Sequence, residues 1–168
     1  SASVPPFAAF KNVVKKSLNC LPDYRIFYSE YVRRQFNFSD TIPYGLRGHG
    51  ILNNEPVSKK PEKYYDFIYA GNIDEKRGLD ILWDCFTKGN LKNRTLLVLS
   101  KDYTKTALRL SGYKNIYFKG PVPYYQVYSC IDQCRYAINF MPNISPFNKQ
   151  VSAKFLDYTA CNIPVITS

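Results

Sequence analysis

The chain has 168 residues, a formal net charge of +10 and 45% hydrophobic residues, which suits one α/β domain or one domain with part of a second. Aromatic residues make up 16% of the chain, and this composition excludes a largely disordered protein. No apolar run approaches the roughly 20 residues that a membrane-spanning helix needs.

The N-terminal third shows little regularity beyond one strand and one helix. We expect the strand at 24–30 (YRIFYSE) and the short helix at 31–36 (YVRRQF). Residues 42–63 are rich in Gly, Pro, Asn and Lys with little periodicity, which is typical of linkers. The pattern predicts that residues 1–45 are the tail of a preceding domain and that residues 46–63 connect it to the next.

Strands and helices alternate from residue 64 onward. Near-continuous apolar runs such as 94–100 (RTLLVLS) are typical of parallel strands buried on both faces, whereas apolar stripes such as Leu79–Phe86 indicate amphipathic helices. The predicted strands are 64–71, 94–100, 115–120, 135–141 and 163–168. The first predicted helix begins near residue 79, and the other three cover about 103–110, 124–131 and 151–161.

This alternation predicts an α/β fold with a Rossmann-like parallel sheet and helices on both faces. Ligands of such sheets bind beyond the carboxyl ends of the strands, which places the site in the loops 71–78, 100–103, 120–124 and 142–152. In the last helix, Val151, Phe155 and Tyr158 are expected to face inward, and Asn162 is a residue type that ends helices.

The cysteines do not form a zinc set of usual spacing, because the chain has a single histidine, His49, in the predicted linker. All five cysteines lie in apolar or helical contexts: Cys20, Cys85, Cys130, Cys134 and Cys161. We therefore expect free, mostly buried thiols in a reducing compartment.

The segment 70–78 (AGNIDEKRG) lies at a predicted strand-to-helix turn. Gly71 gives room for the backbone to approach a ligand, and Arg77 and Gly78 precede a helix whose free N–H groups favour an anion. The planar guanidinium suits phosphate oxygens. The glycine spacing fits neither a dinucleotide fingerprint nor a Walker sequence, and a tight turn with solvated charges is the alternative interpretation.

A second polar segment, 143–160, leads into the last predicted helix. Ser152 stands near the helix start, where phosphates bind readily. Asp157 follows Lys154 by three residues, so the two could form a weak surface ion pair. Alternatively, the Asp157 carboxylate could accept hydrogen bonds from two vicinal sugar hydroxyls while the helix start holds phosphates.

Three segments in series resemble the C-terminal, donor-binding domain of GT-B glycosyltransferases, specifically the retaining group called family 4. They are FIYAGNIDEKRGLDILWDCF, NIYFKGPV and KFLDYTACNIPVITS, and the resemblance covers about residues 64–168. It implies a nucleoside-diphosphate-sugar donor, a saccharide or lipid-linked acceptor and catalysis without a metal cofactor. YRIFYSEYVRRQF resembles the end of the acceptor-binding domain, so the chain looks like a piece of a longer protein.

The resemblance also implies roles for individual residues. Arg77 matches the Lys that meets the donor diphosphate, and Asp157 matches the second acid of an E-x7-E motif, which faces the donor ribose. The residues implied at the diphosphate are Gly71, Asn72, Arg77, Gly78, Lys149, Ser152 and Lys154, and those implied at the base are Ser100, Lys101, Gly120 and Pro121. No catalytic residue is assigned.

The sequence departs from the family at three positions. Asn72 replaces an Arg, Lys149 replaces the first acid of E-x7-E, and Asn162 replaces a Gly. These changes favour the alternative of a non-catalytic nucleotide-binding relative or fragment. A nucleotide-sugar epimerase of related fold is disfavoured because too few acid and base residues fall in the loops.

The positive charge favours another alternative, a basic interaction module whose binding to polyanions depends strongly on salt. The scattered Lys and Arg residues argue against nucleic acid as the partner. Under the glycosyltransferase interpretation, the intact protein would work in surface polysaccharide or glycoconjugate synthesis. It would be cytoplasmic, with possible peripheral association at the inner face of the membrane.

Overall fold

The structure is a computed structural model, and its elements belong to two compact units, Ser1–His49 and Gly50–Ser168. The described residues are 7–18, 21, 23–27, 29–35, 42–47, 62–73, 77–101, 104–144, 147–149 and 152–168. Within these ranges, no helix is long and apolar enough to cross a membrane. The predicted linker residues 48–61 and Cys20 lie outside the described residues.

In its described residues, the first unit contains two helices and a pair of parallel strands. Its elements are α1 (Phe7–Leu18), β1 (Arg25–Phe27), α2 (Glu30–Gln35) and β2 (Tyr44–Leu46), with β1 paired to β2. The short helix predicted after the first strand is confirmed, but the predicted strand 24–30 is too long. Ser29 caps α2, since its Oγ accepts a hydrogen bond from Val32 N–H at 3.2 Å, and Glu30 is already helical.

The second unit is a doubly wound α/β sheet, as the alternating pattern predicts. Its elements are β3 (Tyr65–Ala70), α3 (Asp80–Thr87), β4 (Leu96–Leu99), α4 (Thr104–Leu110), β5 (Ile116–Lys119), α5 (Tyr124–Asp132), β6 (Cys134–Asn139), a 3-10 helix (Phe147–Lys149), α6 (Ala153–Ala160) and β7 (Val165–Thr167). The order across the sheet is β5-β4-β3-β6-β7, and all the strand pairs are parallel.

Alternate residues of the central strand face opposite layers of helices. Tyr69 packs with Trp83 and Phe86 of α3, while Ile68 packs in a separate cluster with Ile131 of α5 and Tyr158 of α6. Burial on both faces explains why the strands read as apolar runs. The prediction of helices on both faces is confirmed.

The last helix is rotated relative to the prediction. Tyr158 is fully buried as expected, but Phe155 is 37% exposed and Asp157 is buried in its place. The rotation follows from two polar contacts, because Tyr158 Oη accepts from Ala70 N–H at 2.8 Å and Asp157 is hydrogen-bonded to α5. Val151 lies outside the described residues. Asn162 ends the helix with a φ of 51°, as its residue type predicts.

The strand order reverses between β3 and β6. The chain leaves β3 through α3 towards β4 on one side, and it reaches β6 through α5 on the other side. The loops that follow β3 and β6 therefore part from each other and leave a crevice at the carboxyl ends of these two strands.

Candidate functional site

A cavity of about 300 Å³ lies in this crevice. Its lining comes from the turn after β3, the segment after β6 and the start of α6: Ala70, Gly71, Asn72, Arg77, Met141, Ser152, Ala153 and Lys154. Five of the residues predicted from sequence to meet a diphosphate thus line one cavity. Among the described residues that line it, none is acidic.

Arg77 is held on the wall of the cavity by an aromatic ring. Its guanidinium carbon lies 4.8 Å from the centroid of the Phe147 ring, a cation–π contact that fixes the planar group. Its Nε is buried and makes no hydrogen bond within the described part of the chain. Gly78, next in the chain, adopts a φ of 65°, which turns the backbone towards α3 without the strain that a Cβ would cause.

Lys154 brings a second positive charge to the cavity. Its Nζ donates to the Phe140 carbonyl at 3.2 Å and lies 5.2 Å from the Tyr69 ring centroid. Burial, and then the nearby charge of Arg77, lower the pKa of Lys154 to about 8. Two positive groups on one wall favour an anion, and in the described residues no carboxylate pairs with either of them.

The start of α6 adds backbone donors to the same wall. Ser152 caps the helix, since its Oγ accepts from Phe155 N–H at 3.3 Å and donates to Asn139 Oδ1 at 2.6 Å. Asn139 Nδ2 in turn donates to Thr167 Oγ1 at 3.1 Å, which ties the helix start to β6 and β7. N–H groups in a first helical turn have no intrahelical acceptor, and the helix dipole favours negative charge there.

A larger cavity of about 860 Å³ adjoins the first and shares Arg77, Met141 and Ser152 with it. Gly78, another predicted diphosphate residue, lines this second cavity. Lys149 ends the 3-10 helix, and its side chain lies outside the described part of the structure.

The residues predicted to face a base lie at the same edge of the sheet but away from both cavities. Ser100 is buried and Lys101 exposed directly after β4, and Gly120 and Pro121 follow β5. None of the four lines either cavity. Their role in binding a base stays a prediction.

Asp157 is only 8% exposed and is bonded to tyrosines, not to Lys154. Its Oδ1 accepts from Tyr124 Oη at 2.7 Å and from Tyr128 Oη at 3.1 Å, both on α5. The alternative of a surface ion pair with Lys154 is therefore wrong, because the two side chains turn to different partners. The predicted contact with a ribose stays a prediction.

Sequence reasoning missed the residues that hold the site together. Tyr124 and Tyr128 belong to a helical stripe that predicts only a buried face, and neither Asn139 nor Phe147 carries a motif. The i, i+4 spacing of the two tyrosines could have indicated a shared hydrogen-bond partner, although it could not have indicated which one.

Within the described residues, no group of three or more His, Cys, Asp or Glu side chains could hold a metal ion. Cys130 and Cys134 are buried, and burial raises the pKa of the Cys134 thiol to about 12.

No family model matches the sequence, and no curated protein matches it significantly. The structure resembles two solved GT-B glycosyltransferases. The crystal structure of TarM gives a TM-score of 0.61 at 12% identity over 94% of this chain and 31% of that one. The crystal structure of the GtfA/B complex gives a TM-score of 0.56 at 18% identity over 92% of this chain and 32% of that one.

The chain therefore spans about a third of the solved chains that it matches. At such low identity the likeness concerns the fold. The parallel sheet, the helices on both faces and the likeness to these solved structures together show that the second unit has a Rossmann-like α/β fold.

Proposed function

We propose that this chain binds a nucleoside-diphosphate sugar and is the donor-binding portion of a glycosyltransferase. The observation that carries the proposal is the pair of cations, Arg77 and Lys154, in the crevice at the point where the strand order reverses. No carboxylate of the described residues neutralises them, and the start of α6 supplies further positive potential.

The geometry suits a diphosphate because it combines a planar guanidinium, an ammonium group and backbone donors on one wall. Arg77 presents a fork that matches phosphate oxygens, whereas Lys154 supplies a compact charge. When the bond between sugar and diphosphate breaks, negative charge grows on the leaving nucleoside diphosphate. Fixed positive groups that meet this charge stabilise the transition state more than the ground state.

The wider proposal follows from the same interpretation. The acceptor is a saccharide or a lipid-linked saccharide, and the intact enzyme works in the synthesis of surface polysaccharide or glycoconjugate as a retaining transferase of family 4. A net charge of +10 supports an encounter with the anionic cytoplasmic face of a membrane. The residues at the acceptor are not assigned.

A thermal-shift titration with UDP, GDP and ADP tests the proposal. A ligand that binds only the folded chain raises the melting temperature, by about 5–10 °C at about 100 times Kd for a chain of this size. We expect one nucleoside diphosphate to act in this way and its parent nucleoside to have little effect. The same titration on Arg77→Gln and Lys154→Gln should give much smaller shifts.

Lys92→Gln is the matched control, because Lys92 is exposed in the turn before β4, at the opposite edge of the sheet. This variant should respond like the native chain. Equal shifts in all four proteins would place the ligand elsewhere, and no shift with any of the three nucleotides would remove the support for a donor site.

A further inference from the structure

The amino group of Lys154 is held in a fixed position on the wall of the cavity of about 300 Å³. Its Nζ donates to the Phe140 carbonyl at 3.2 Å and lies 5.2 Å from the centroid of the Tyr69 ring. The side chain is half-buried, and the cavity that it lines is open to solvent. A small solute can therefore reach an amino group whose place is already set.

The surroundings of this amino group favour its neutral form. Nζ is faced by the Tyr69 ring of β3, by the Phe140 carbonyl after β6 and by the charge of Arg77. Burial, and then Arg77, lower the pKa of Lys154 to about 8. At about pH 7.5, roughly a quarter of such amines are neutral, against about one in a thousand for a lysine with the usual pKa of 10.5. The neutral amine is the nucleophilic form.

The same wall can hold a phosphate group beside this amine. The Arg77 guanidinium lies 4.8 Å from the centroid of the Phe147 ring and lines the cavity together with Lys154. Ion pairs of the described residues involve neither of these two cations. The start of α6, which Ser152 caps, adds backbone N–H groups. A phosphate bound by Arg77 leaves the Lys154 amine available to attack a neighbouring electrophilic atom.

We propose that Lys154 is a modification site for acyl phosphates, which are electrophiles that carry their own phosphate group. Arg77 and the start of α6 hold the phosphate, and the neutral Nζ attacks the acyl carbon. An N–C bond forms, the bond between the acyl carbon and the phosphate oxygen breaks, and inorganic phosphate leaves with the electron pair. Lys154 loses one proton to water before the attack and a second one after it, so the product is a neutral amide.

Acylation would change the whole cavity, because it removes one of the two positive charges on its wall. The proposal needs a wall that binds phosphate and does not need a nucleotide, so it goes beyond the proposed function. If the cavity also binds a nucleoside diphosphate, the acylated chain should bind it at least about tenfold more weakly than the unmodified chain. The modification would then switch the donor site off.

Acetyl phosphate is the probe, and peptide mass spectrometry gives the acetylation rate of each lysine. At about pH 7.5 and a low concentration of the reagent, we expect Lys154 to react at least about tenfold faster than Lys92, which is exposed in the turn before β4. The second-order rate constant of Lys154 should rise with pH and level off above about 8, because it follows the ionisation of the free chain. In urea, the two lysines should react at similar rates.

N-Acetylimidazole carries no phosphate and separates phosphate binding from the reactivity of the amine alone. Its preference for Lys154 over Lys92 should be at least about threefold smaller than that of acetyl phosphate. Inorganic pyrophosphate should slow the reaction of acetyl phosphate with Lys154 but not with Lys92. Arg77→Gln should slow the reaction at Lys154 at least about tenfold, whereas Arg94→Gln, at an exposed residue just before β4, should leave it unchanged.

Two results would overturn the proposal: equal rates at Lys154 and Lys92 in the native chain, or the same preference for Lys154 with both reagents. The proposal and the proposed function can also fail separately. If pyrophosphate protects a fast-reacting Lys154 and no nucleoside diphosphate does so, the acylation site is supported and the donor site is not. If a nucleoside diphosphate binds but Lys154 reacts no faster than Lys92, the acylation site is wrong and the proposed donor site keeps its support.

Discussion

Lys154 is the residue whose ionisation reports most directly on the cavity. Burial and the charge of Arg77 lower its pKa from 10.5 to about 8, so the free protein loses this charge in a pH range where ordinary lysines keep theirs. A bound anion favours the protonated form and raises the pKa again. Between these two pKa values, the complex therefore holds one more proton than the free protein.

The predicted consequence is a pH-dependent affinity. The affinity for a nucleoside diphosphate should be highest near pH 7 and should fall as the pH rises through about 8, the pKa of Lys154 in the free chain, because binding then requires proton uptake. Titrations in buffers of different ionisation enthalpy measure this uptake at pH 9. Lys154→Arg, which stays charged, should bind with little dependence on pH in this range. If the affinity of the native chain for the nucleoside diphosphate did not change up to pH 10, Lys154 would not be the group that supplies a positive charge to the ligand.

Asn162 shows how a single residue fixes the end of an element. Its φ of 51° is left-handed, and Asn tolerates this conformation better than residues with larger or branched side chains. We predict that Asn162→Ala lowers the free energy of unfolding by about 1 kcal/mol, whereas Asn162→Gly is at least as stable as the native chain. Urea denaturation measures both. If the alanine variant were as stable as the native chain, the left-handed conformation at this position would not destabilise a residue other than Asn or Gly.

At the residue scale, sequence reasoning identified charges better than it identified their partners. Arg77 and Lys154 precede or open helices, where a positive group can meet an anion, and the structure places both on one cavity. The partners of Asp157 come from another helix, 33 and 29 residues away along the chain. Such long-range contacts cannot be predicted from residue type and local spacing. The Lys154–Asp157 ion pair, which was the local alternative, was wrong.

At the scale of elements, Tyr158 links α6 to the central strand. Its hydroxyl accepts from Ala70 N–H at 2.8 Å, directly before the turn at Gly71 that enters the cavity. Burial raises the pKa of the Tyr158 hydroxyl well above its usual value, so the group stays protonated. This contact holds the helix that carries Lys154 against the strand that leads to Arg77.

Removal of that hydroxyl should weaken both stability and binding. Tyr158→Phe leaves the partly buried Ala70 N–H without this acceptor, and we expect a loss of about 1 kcal/mol in the free energy of unfolding. Urea denaturation gives this value, and Tyr136→Phe, at a tyrosine that is 44% exposed, is the control with an expected change within about 0.5 kcal/mol. Equal free energies of unfolding of the two variants would show that the hydrogen bond between Tyr158 and Ala70 does not stabilise the packing of α6.

Elements of the second unit followed from sequence because its strands are buried on both faces. An apolar run such as Leu96–Leu99 indicates a buried strand, and an apolar stripe such as Leu79–Phe86 indicates an amphipathic helix. The first unit gave weaker signals. β1 and β2 have three residues each, too few for a period to show, and α1 was not predicted, although it spans Phe7–Leu18.

At the scale of the whole molecule, the net charge of +10 is compatible with two classes of function, a nucleotide-binding site and a basic interaction module. A site for one nucleoside diphosphate needs a few converging groups, whereas a basic interaction module uses scattered charges and loses affinity steeply with salt. We predict that an excess of duplex DNA or heparin at about 0.15 M salt does not displace a bound nucleoside diphosphate. Displacement by either polyanion in a fluorescence competition assay would favour the module.

The most direct test of the proposed donor site is the dissociation constant of a nucleoside diphosphate, and of its monophosphate, for the native chain and for Arg77→Gln. Isothermal titration should show that the native chain prefers the diphosphate by about tenfold or more, and that Arg77→Gln weakens the diphosphate by at least about tenfold and largely loses the preference. Equal affinities of the native chain and the variant for the diphosphate would show that the cation pair in the crevice is not where the diphosphate binds, and would contradict the proposed function.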